Sequence, residues 1–290
     1  MFKGSMVALV TPFRNGKVDE KTLKGLVEFH IKNGTTALVP CGTTGESATL
    51  SYAEHEKVIE LTIEYANGRV PVIAGTGSNS TEEAIMLTKH AKSAGADASL
   101  QVSPYYNRPT QKGLYLHFKA IAEAVDMPMI LYNIASRTGV NIEPDTMAKL
   151  SQVKGIIGVK EASGSLEQMA RVKKMCDKDF LLISGDDALT LPVMAIGGVG
   201  IISVVANIIP KDVADMCNAF AKGDIKKAQK IHYGMLDLVK AMFVETNPIP
   251  VKTAMGILKM CDPQMRLPLC EMLPENKEKL IKAMKEYKLL

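Results

Sequence analysis

The chain has 290 residues, 47% hydrophobic and 23% charged, with a formal net charge of +4. This is an ordinary globular balance, long enough for one large domain or two smaller ones. The mild basicity, spread along the chain, together with 5% aromatics and no tryptophan, argues against a nucleic-acid binder. Five cysteines (Cys41, Cys176, Cys217, Cys261 and Cys270) are scattered without a C-x-x-C pair, which suits a reducing cytoplasm, and the first residues lack a signal-peptide layout.

Taken in order, residues 6–10 read as a strand, Arg14-Asn15-Gly16 as a polar turn and 20–32 as a helix capped by Asp19, with Leu23, Leu26, Val27 and Ile31 on one face. The cycle then recurs, with strands predicted at 35–39, 70–74, 98–102, 129–132, 156–160, 180–184 and 200–205. Their helices are predicted at 52–66, 81–93, 113–125, 144–150, 166–176, 189–196 and 211–222. The uncharged stretch 188–210 is long enough to span a bilayer, but Pro192, Gly197, Gly198 and Gly200 divide it into helix, turn and strand, so it reads as core and not membrane.

The strands are continuous apolar runs, as expected where both faces of a parallel sheet are covered. Eight strand-helix cycles in about 220 residues predict an α/β fold of the (β/α)₈ TIM-barrel type, since no G-x-G-x-x-G follows the first strand to favour an open sheet. Beyond residue 224 only helix patterns remain, at 225–243, 251–259 and 275–287. The expected division is therefore a catalytic barrel over 1–223 and a C-terminal helical domain over 224–290.

The run Ile156-Ile157-Gly158-Val159-Lys160-Glu161-Ala162 ends an apolar strand on a lysine. Burial disfavours the ammonium, and a neutral amine can condense with a ketone to give a Schiff base. The plainer reading is an ion pair of Lys160 with Glu161 or Asp187 at a strand end.

Active sites of such barrels lie at the C-terminal ends of the strands. Those positions carry Thr11 and Pro12, then Cys41 to Ser47 with Gly42-Thr43-Thr44-Gly45, then Gly75-Thr76-Gly77-Ser78-Asn79. Ser103 to Pro109, Tyr132-Asn133, Ser136-Arg137-Thr138-Gly139, Lys160, Gly185-Asp186-Asp187 and Ser203 follow. Lys160, Tyr105, Tyr106, Tyr132, Thr43 and Thr44 are thus expected at one mouth. The Gly-Thr-Thr-Gly segment is either a tight turn or a cradle of N–H groups and hydroxyls for a carboxylate. Tyr132 is either a core aromatic or a proton relay, and Arg137 either a solvated charge or a carboxylate fork. Gly197-Gly198-Val199-Gly200 reads as a tight turn, because no basic residue accompanies it as a phosphate site would need. His30, His55, His90, His117 and His232 fall on helix patterns without ligand spacing, so no metal is expected.

Five segments in order, Gly42-Thr43-Thr44-Gly45-Glu46-Ser47, Tyr105-Tyr106-Asn107-Arg108-Pro109, Tyr132-Asn133 with Ser136-Arg137-Thr138-Gly139, Gly158-Val159-Lys160-Glu161-Ala162 and Asn247-Pro248-Ile249-Pro250-Val251-Lys252, give the chain a resemblance. It resembles the Schiff-base aldolase family that contains dihydrodipicolinate synthase and N-acetylneuraminate lyase, in its synthase branch. The resemblance covers essentially the whole chain. It implies condensation of pyruvate, as an enamine on Lys160, with L-aspartate 4-semialdehyde in lysine and diaminopimelate biosynthesis, without a cofactor.

The resemblance also implies a proton relay of Tyr132, Thr43 and Tyr106, the last supplied by a neighbouring subunit. Thr44 and the backbone of Ile202 would hold the pyruvate carboxylate, Gly185 would line the site, and Arg137 would meet the second substrate. It further implies a homotetramer built from tight dimers, and feedback inhibition by L-lysine at Ser47, Ala48, Tyr52, His55, Asn79, Glu83 and Tyr105. Two residues depart from the family pattern: Ala135 replaces a common proline beside Arg137, and Tyr52 stands where some relatives have histidine. The alternative activity is cleavage of N-acetylneuraminate or a 2-keto-3-deoxy acid.

Overall fold

The computed structural model describes residues 2–290. An eight-stranded parallel sheet is built from β1 (Gly4–Ala8), β2 (Ala37–Val39), β3 (Ile73–Gly75), β4 (Ala98–Val102), β5 (Met129–Asn133), β6 (Ile156–Glu161), β7 (Leu181–Ser184) and β8 (Gly200–Ser203). Its order is β2-β1-β8-β7-β6-β5-β4-β3. A bridge between Leu38 and Val72 joins the two ends. There the Leu38 N–H donates to the Pro71 carbonyl at 3.0 Å and the Gly75 N–H to the Pro40 carbonyl at 3.0 Å, so the sheet closes into a barrel.

The crossovers are α1 (Glu20–Lys32), α2 (Tyr52–Ala66), α3 (Thr81–Ala94), α4 (Gln111–Ala124), a single turn α5 (Ala135–Thr138) with α6 (Pro144–Ser151), α7 (Leu166–Met175) and α8 (Thr190–Ala195), and α9 (Pro210–Ala221) follows β8. The molecule is thus the (β/α)₈ TIM barrel that its strand-helix rhythm predicts. Polar caps start several of the helices. Asp19 accepts from the Thr22 N–H, Ser51 and Glu54 form a reciprocal capping box, and Ser80 and Ser165 cap α3 and α7. Helix α4 begins two residues earlier than its apolar pattern suggests, because the Thr110 hydroxyl accepts from the Gly113 N–H.

The uncharged stretch 188–210 resolves into a 3₁₀ turn, α8, β8 and a second 3₁₀ turn. No helix among the described residues is long and apolar enough to cross a membrane. Gly200 serves packing: with φ of +150°, a Cβ built there would lie 2.1 Å from the Gly4 carbonyl oxygen. Two short elements lie outside the predicted set. Phe13–Arg14 pairs antiparallel with Lys17–Val18 around Asn15 and Gly16, both at positive φ, and α5 carries Arg137. Neither is long enough to show a hydrophobic period.

Side chains alternate along each strand between the barrel interior and the surrounding helices. The interior holds Met6, Ala37, Ile73, Leu100, Ile130, Tyr132, Ile183 and Ile202. The outer faces hold Leu131, Val159 and Leu182 against α4, α6 and α7, and Val7, Leu38 and Ile201 against the remaining helices.

After Gly223 the chain forms α10 (Ile225–Ala241), α11 (Ile249–Ile257) and α12 (Pro274–Glu286), with Asp224 capping the first. Met235, Leu238, Val251, Met255, Leu280 and Met284 join the same apolar cluster as Val7 and Leu38 of the barrel. A buried ion pair, Lys252 Nζ to Glu46 Oε1 at 2.6 Å, pins α11 beneath the β2 loop.

Candidate active site

Lys160 lies next to the last residue of β6, and its register partner in β5 is Tyr132. Alternation turns both side chains into the barrel and sends Glu161 to the opposite face. There Glu161 accepts from the Ser163 N–H at 2.8 Å and from Asn133 Nδ2 at 3.1 Å. The sequence's plainer pairing of Lys160 with Glu161 is therefore excluded by strand geometry.

Lys160 is 5% exposed, and its amine sits 4.2 Å from the centre of the Tyr132 ring. Burial pushes the Lys160 ammonium down to about 8, with the Arg137 charge acting in the same direction and Asp187 opposing both. Burial pushes the Tyr132 phenol up to about 12, against a smaller pull from Arg137 and the Thr43 hydroxyl within hydrogen-bonding reach. Near neutrality, then, the pair offers a readily freed amine beside a phenol that keeps its proton. This is the combination that carbinolamine formation requires.

Gly185, after β7, lets the lysine stem approach: a Cβ there would lie 3.2 Å from Lys160 Cε and 2.8 Å from Ala162 Cβ. Ile202 on β8 is buried in the barrel interior. The Gly-Thr-Thr-Gly loop after β2 is held by the Thr11 hydroxyl, which donates to the Gly45 carbonyl at 2.7 Å, and by Lys252 through Glu46. Arg137 sits on α5, where its N–H donates to the Ile134 carbonyl and Gly139 ends the turn in the left-handed region. Ala135 is the first residue of that turn.

A cleft of about 480 Å³ opens over this mouth, and Thr43, Tyr132 and Arg137 line it. Ser47, Ala48, Tyr52, His55, Glu83 and Tyr105 line the same cleft. Within it Glu83 accepts from the hydroxyls of both Tyr52 and Ser78, which hold its carboxyl below the usual range. Asn79 stands behind the wall, its Oδ1 accepting from the N–H groups of Tyr105 at 2.7 Å and Tyr106 at 3.0 Å.

Of the tyrosines expected together, Tyr106 does not join the others in this chain: it is 86% exposed and does not line the cleft. The five histidines all fall on helices α1 to α4 and α10. Sequence reasoning passed over Asn247, whose Nδ2 donates to Thr44 Oγ1 at 3.0 Å while its carbonyl accepts from Arg137 Nη2 at 3.3 Å. Its quoted Asn-Pro-Ile-Pro-Val-Lys segment was the available signal, but that segment lies in the helical appendage, away from the strand ends.

The geometry has close counterparts among known proteins. The 4-hydroxy-tetrahydrodipicolinate synthase of Syntrophus aciditrophicus (strain SB) is 57% identical over 290 residues, 100% of both chains. Among solved structures, the chloride-inhibited dihydrodipicolinate synthase of Acinetobacter baumannii complexed with pyruvate is 45% identical, with a TM-score of 0.98 over 100% of each chain. The enzyme of the same name from Cyanidioschyzon merolae, solved with lysine bound, is 43% identical, with a TM-score of 0.97 over 100% of this chain and 99% of that one. The model of the dihydrodipicolinate synthetase family matches residues 1–287. With a lysine-bearing barrel strand at its centre and that match from end to end, the chain belongs to the dihydrodipicolinate synthetase family.

Proposed function

We infer that the chain is a 4-hydroxy-tetrahydrodipicolinate synthase, a lyase that condenses pyruvate with L-aspartate 4-semialdehyde on the way to lysine and diaminopimelate. The observation that carries this reading is the buried amine of Lys160, pushed down to about 8 against the face of a protonated Tyr132. The neutral amine adds to the pyruvate ketone, Tyr132 protonates the departing oxygen, and loss of water leaves an iminium. Loss of a methyl proton gives the enamine, which attacks the aldehyde.

In this reading Thr43 passes protons between Tyr132 and Tyr106 of a neighbouring copy, within a homotetramer of tight dimers. The exposure of Tyr106 supports a role across an interface. Thr44 and the Ile202 backbone hold the pyruvate carboxylate, Gly185 leaves room for the adduct, and Arg137 receives the carboxylate of the second substrate. L-lysine inhibits from the far end of the cleft, between Glu83, Tyr52, His55, Ser47, Ala48, Asn79 and Tyr105. The shared cleft gives an effector there a short route to Thr43 and Tyr132.

The test is turnover of pyruvate with either L-aspartate 4-semialdehyde or N-acetylmannosamine. Condensation of the semialdehyde alone is expected, and turnover of the sugar alone overturns the assignment. A lysine titration of wild type and Glu83→Ala tests the effector site: equal insensitivity of both removes it.

A further inference from the structure

The Asn-Pro-Ile-Pro-Val-Lys segment begins outside the barrel, between α10 and α11, yet its first residue reaches the site. Asn247 lines the cleft with Thr43, Tyr132 and Arg137 and is 6% exposed. Its neighbours in sequence are tied down. The Ile249 N–H donates to the Thr246 carbonyl at 2.9 Å and the Lys252 N–H to the Pro248 carbonyl at 3.0 Å, while the buried Lys252–Glu46 pair fastens α11 to the β2 loop.

From this position Asn247 makes two contacts of different kinds. Its side-chain Nδ2 donates to Thr44 Oγ1 at 3.0 Å, and its backbone carbonyl accepts from Arg137 Nη2 at 3.3 Å. A threonine hydroxyl has one proton and two lone pairs. With Nδ2 on one lone pair, the Thr44 proton has to point away from Asn247, which makes the hydroxyl a donor, as a carboxylate ligand requires. Arg137 is held in a comparable way. Among the described residues it pairs with no carboxylate, so the neutral carbonyl fixes its fork while leaving its charge uncompensated.

Packing alone does not call for an amide here. Asn247 Oδ1 is buried and has no partner among the described residues, and an unpaired buried acceptor costs stability. An apolar side chain would remove that orphan, whereas an aspartate would offset the Arg137 charge and draw the Thr44 proton to itself.

We propose that Asn247 is a positioning residue for both substrates: its amide turns the Thr44 hydroxyl proton toward the pyruvate carboxylate, and its carbonyl seats Arg137 for the carboxylate of the second substrate. The proposal rests on the synthase reading above, which gives Thr44 and Arg137 those roles. Its two arms are separable, because truncating the side chain leaves the carbonyl in place.

The experiment compares wild type, Asn247→Ala, Asn247→Asp, Thr44→Val and the double variant Asn247→Ala with Thr44→Val. The half-saturating pyruvate concentration is read from borohydride trapping on Lys160, and KM for L-aspartate 4-semialdehyde from turnover. Loss of one oriented hydrogen bond should raise the pyruvate value about fivefold in Asn247→Ala, with the semialdehyde KM nearly unchanged. In the Thr44→Val background the same truncation should add little, since the hydroxyl that it orients is gone. Asn247→Asp, which keeps the shape but cannot donate, should weaken pyruvate at least as much as alanine does.

A general loosening of the site would instead weaken both substrates and add to the effect of Thr44→Val. An unmoved pyruvate value in Asn247→Ala, equal losses for the two substrates, or full additivity with Thr44→Val therefore overturns the proposal. So does wild-type behaviour of Asn247→Asp, which would mean that the amide oxygen, and not its nitrogen, faces Thr44. Should the alanine variant not fold, Asn247→Leu, which better keeps the volume, is held to the same outcomes. Failure of wild type to trap pyruvate overturns the synthase reading and this proposal together; normal wild-type trapping and turnover with unmoved variants overturns this proposal alone.

Discussion

Two lysines are buried in this protein, and burial pulls both ammonium groups below their ordinary range, but their partners differ. Lys252 is fully enclosed, yet its ammonium has three acceptors: Glu46 Oε1 at 2.6 Å, the Gln264 carbonyl at 2.7 Å and the Thr11 carbonyl at 3.0 Å. Lys160 has the face of an aromatic ring and, among the described residues, no oxygen accepting from its Nζ. A satisfied ammonium is a structural rivet, whereas a poorly satisfied one gives up its proton and becomes a nucleophile. The consequence for Lys252 can be measured. Lys252→Met leaves the buried Glu46 carboxyl without its partner, and should cost about 3–5 kcal/mol of stability in denaturant unfolding. Adding Glu46→Gln, which removes the orphaned charge, should recover a large part of that loss. If the double variant is no more stable than the single, the pair's contribution lies in packing and not in charge.

At the scale of elements, most of the barrel was legible because each strand is a short apolar run and α1, α2, α3, α4 and α7 each begin on a side chain that caps them. Lys160 and Tyr132 were legible for a related reason: a polar residue at the end of an inward-facing row has to be there for the mouth. What escaped were features with no local period. The α5 turn is four residues long, and the Thr44–Asn247 contact spans 203 positions, a distance over which no hydrophobic pattern reports. Likewise the donors to buried Asp187 come from the end of β8, and only the pairing of β8 with β7 brings them to the β7 loop.

The join between the Gly-Thr-Thr-Gly loop and β3 was also invisible in sequence, and it makes a prediction. At Gly75 a Cβ would lie 2.2 Å from the Cys41 carbonyl oxygen and 3.0 Å from the Gly42 nitrogen, both of them backbone atoms. Gly75→Ala should therefore push the loop outward, costing about 1–3 kcal/mol and raising KM for pyruvate as Thr43 and Thr44 move. Gly25→Ala, inside α1 with nothing within 4 Å, is the control and should stabilise by about 0.5–1 kcal/mol. Equal behaviour of the two variants would mean that the loop gives way without consequence.

For the whole molecule, the C-terminal helices and the barrel share one apolar cluster. Arg266 adds a polar clamp, forking onto Glu54 at 2.5 and 2.7 Å while donating to the Thr49 and Gly16 carbonyls. A single chain thus supplies a finished scaffold, and the one member of the proposed relay that it leaves in solvent is Tyr106. Asn79 fixes the Tyr106 backbone from within the same chain, so the segment is presented outward in a set conformation, as a contribution to a second copy would be. Two inactive variants can decide this. Tyr106→Phe lacks the relay hydroxyl and Lys160→Ala lacks the nucleophile, and each alone should lose nearly all turnover. In a hybrid dimer, the site whose lysine comes from the Tyr106→Phe subunit receives an intact tyrosine from the Lys160→Ala subunit, while the other site lacks both groups. With statistical mixing half the dimers are hybrid and each has one working site of two, so co-expressed subunits should regain about a quarter of wild-type activity. If Tyr106 instead turned inward to serve its own lysine, no pairing of these two chains would assemble a complete site, and the mixture would stay as inactive as its components.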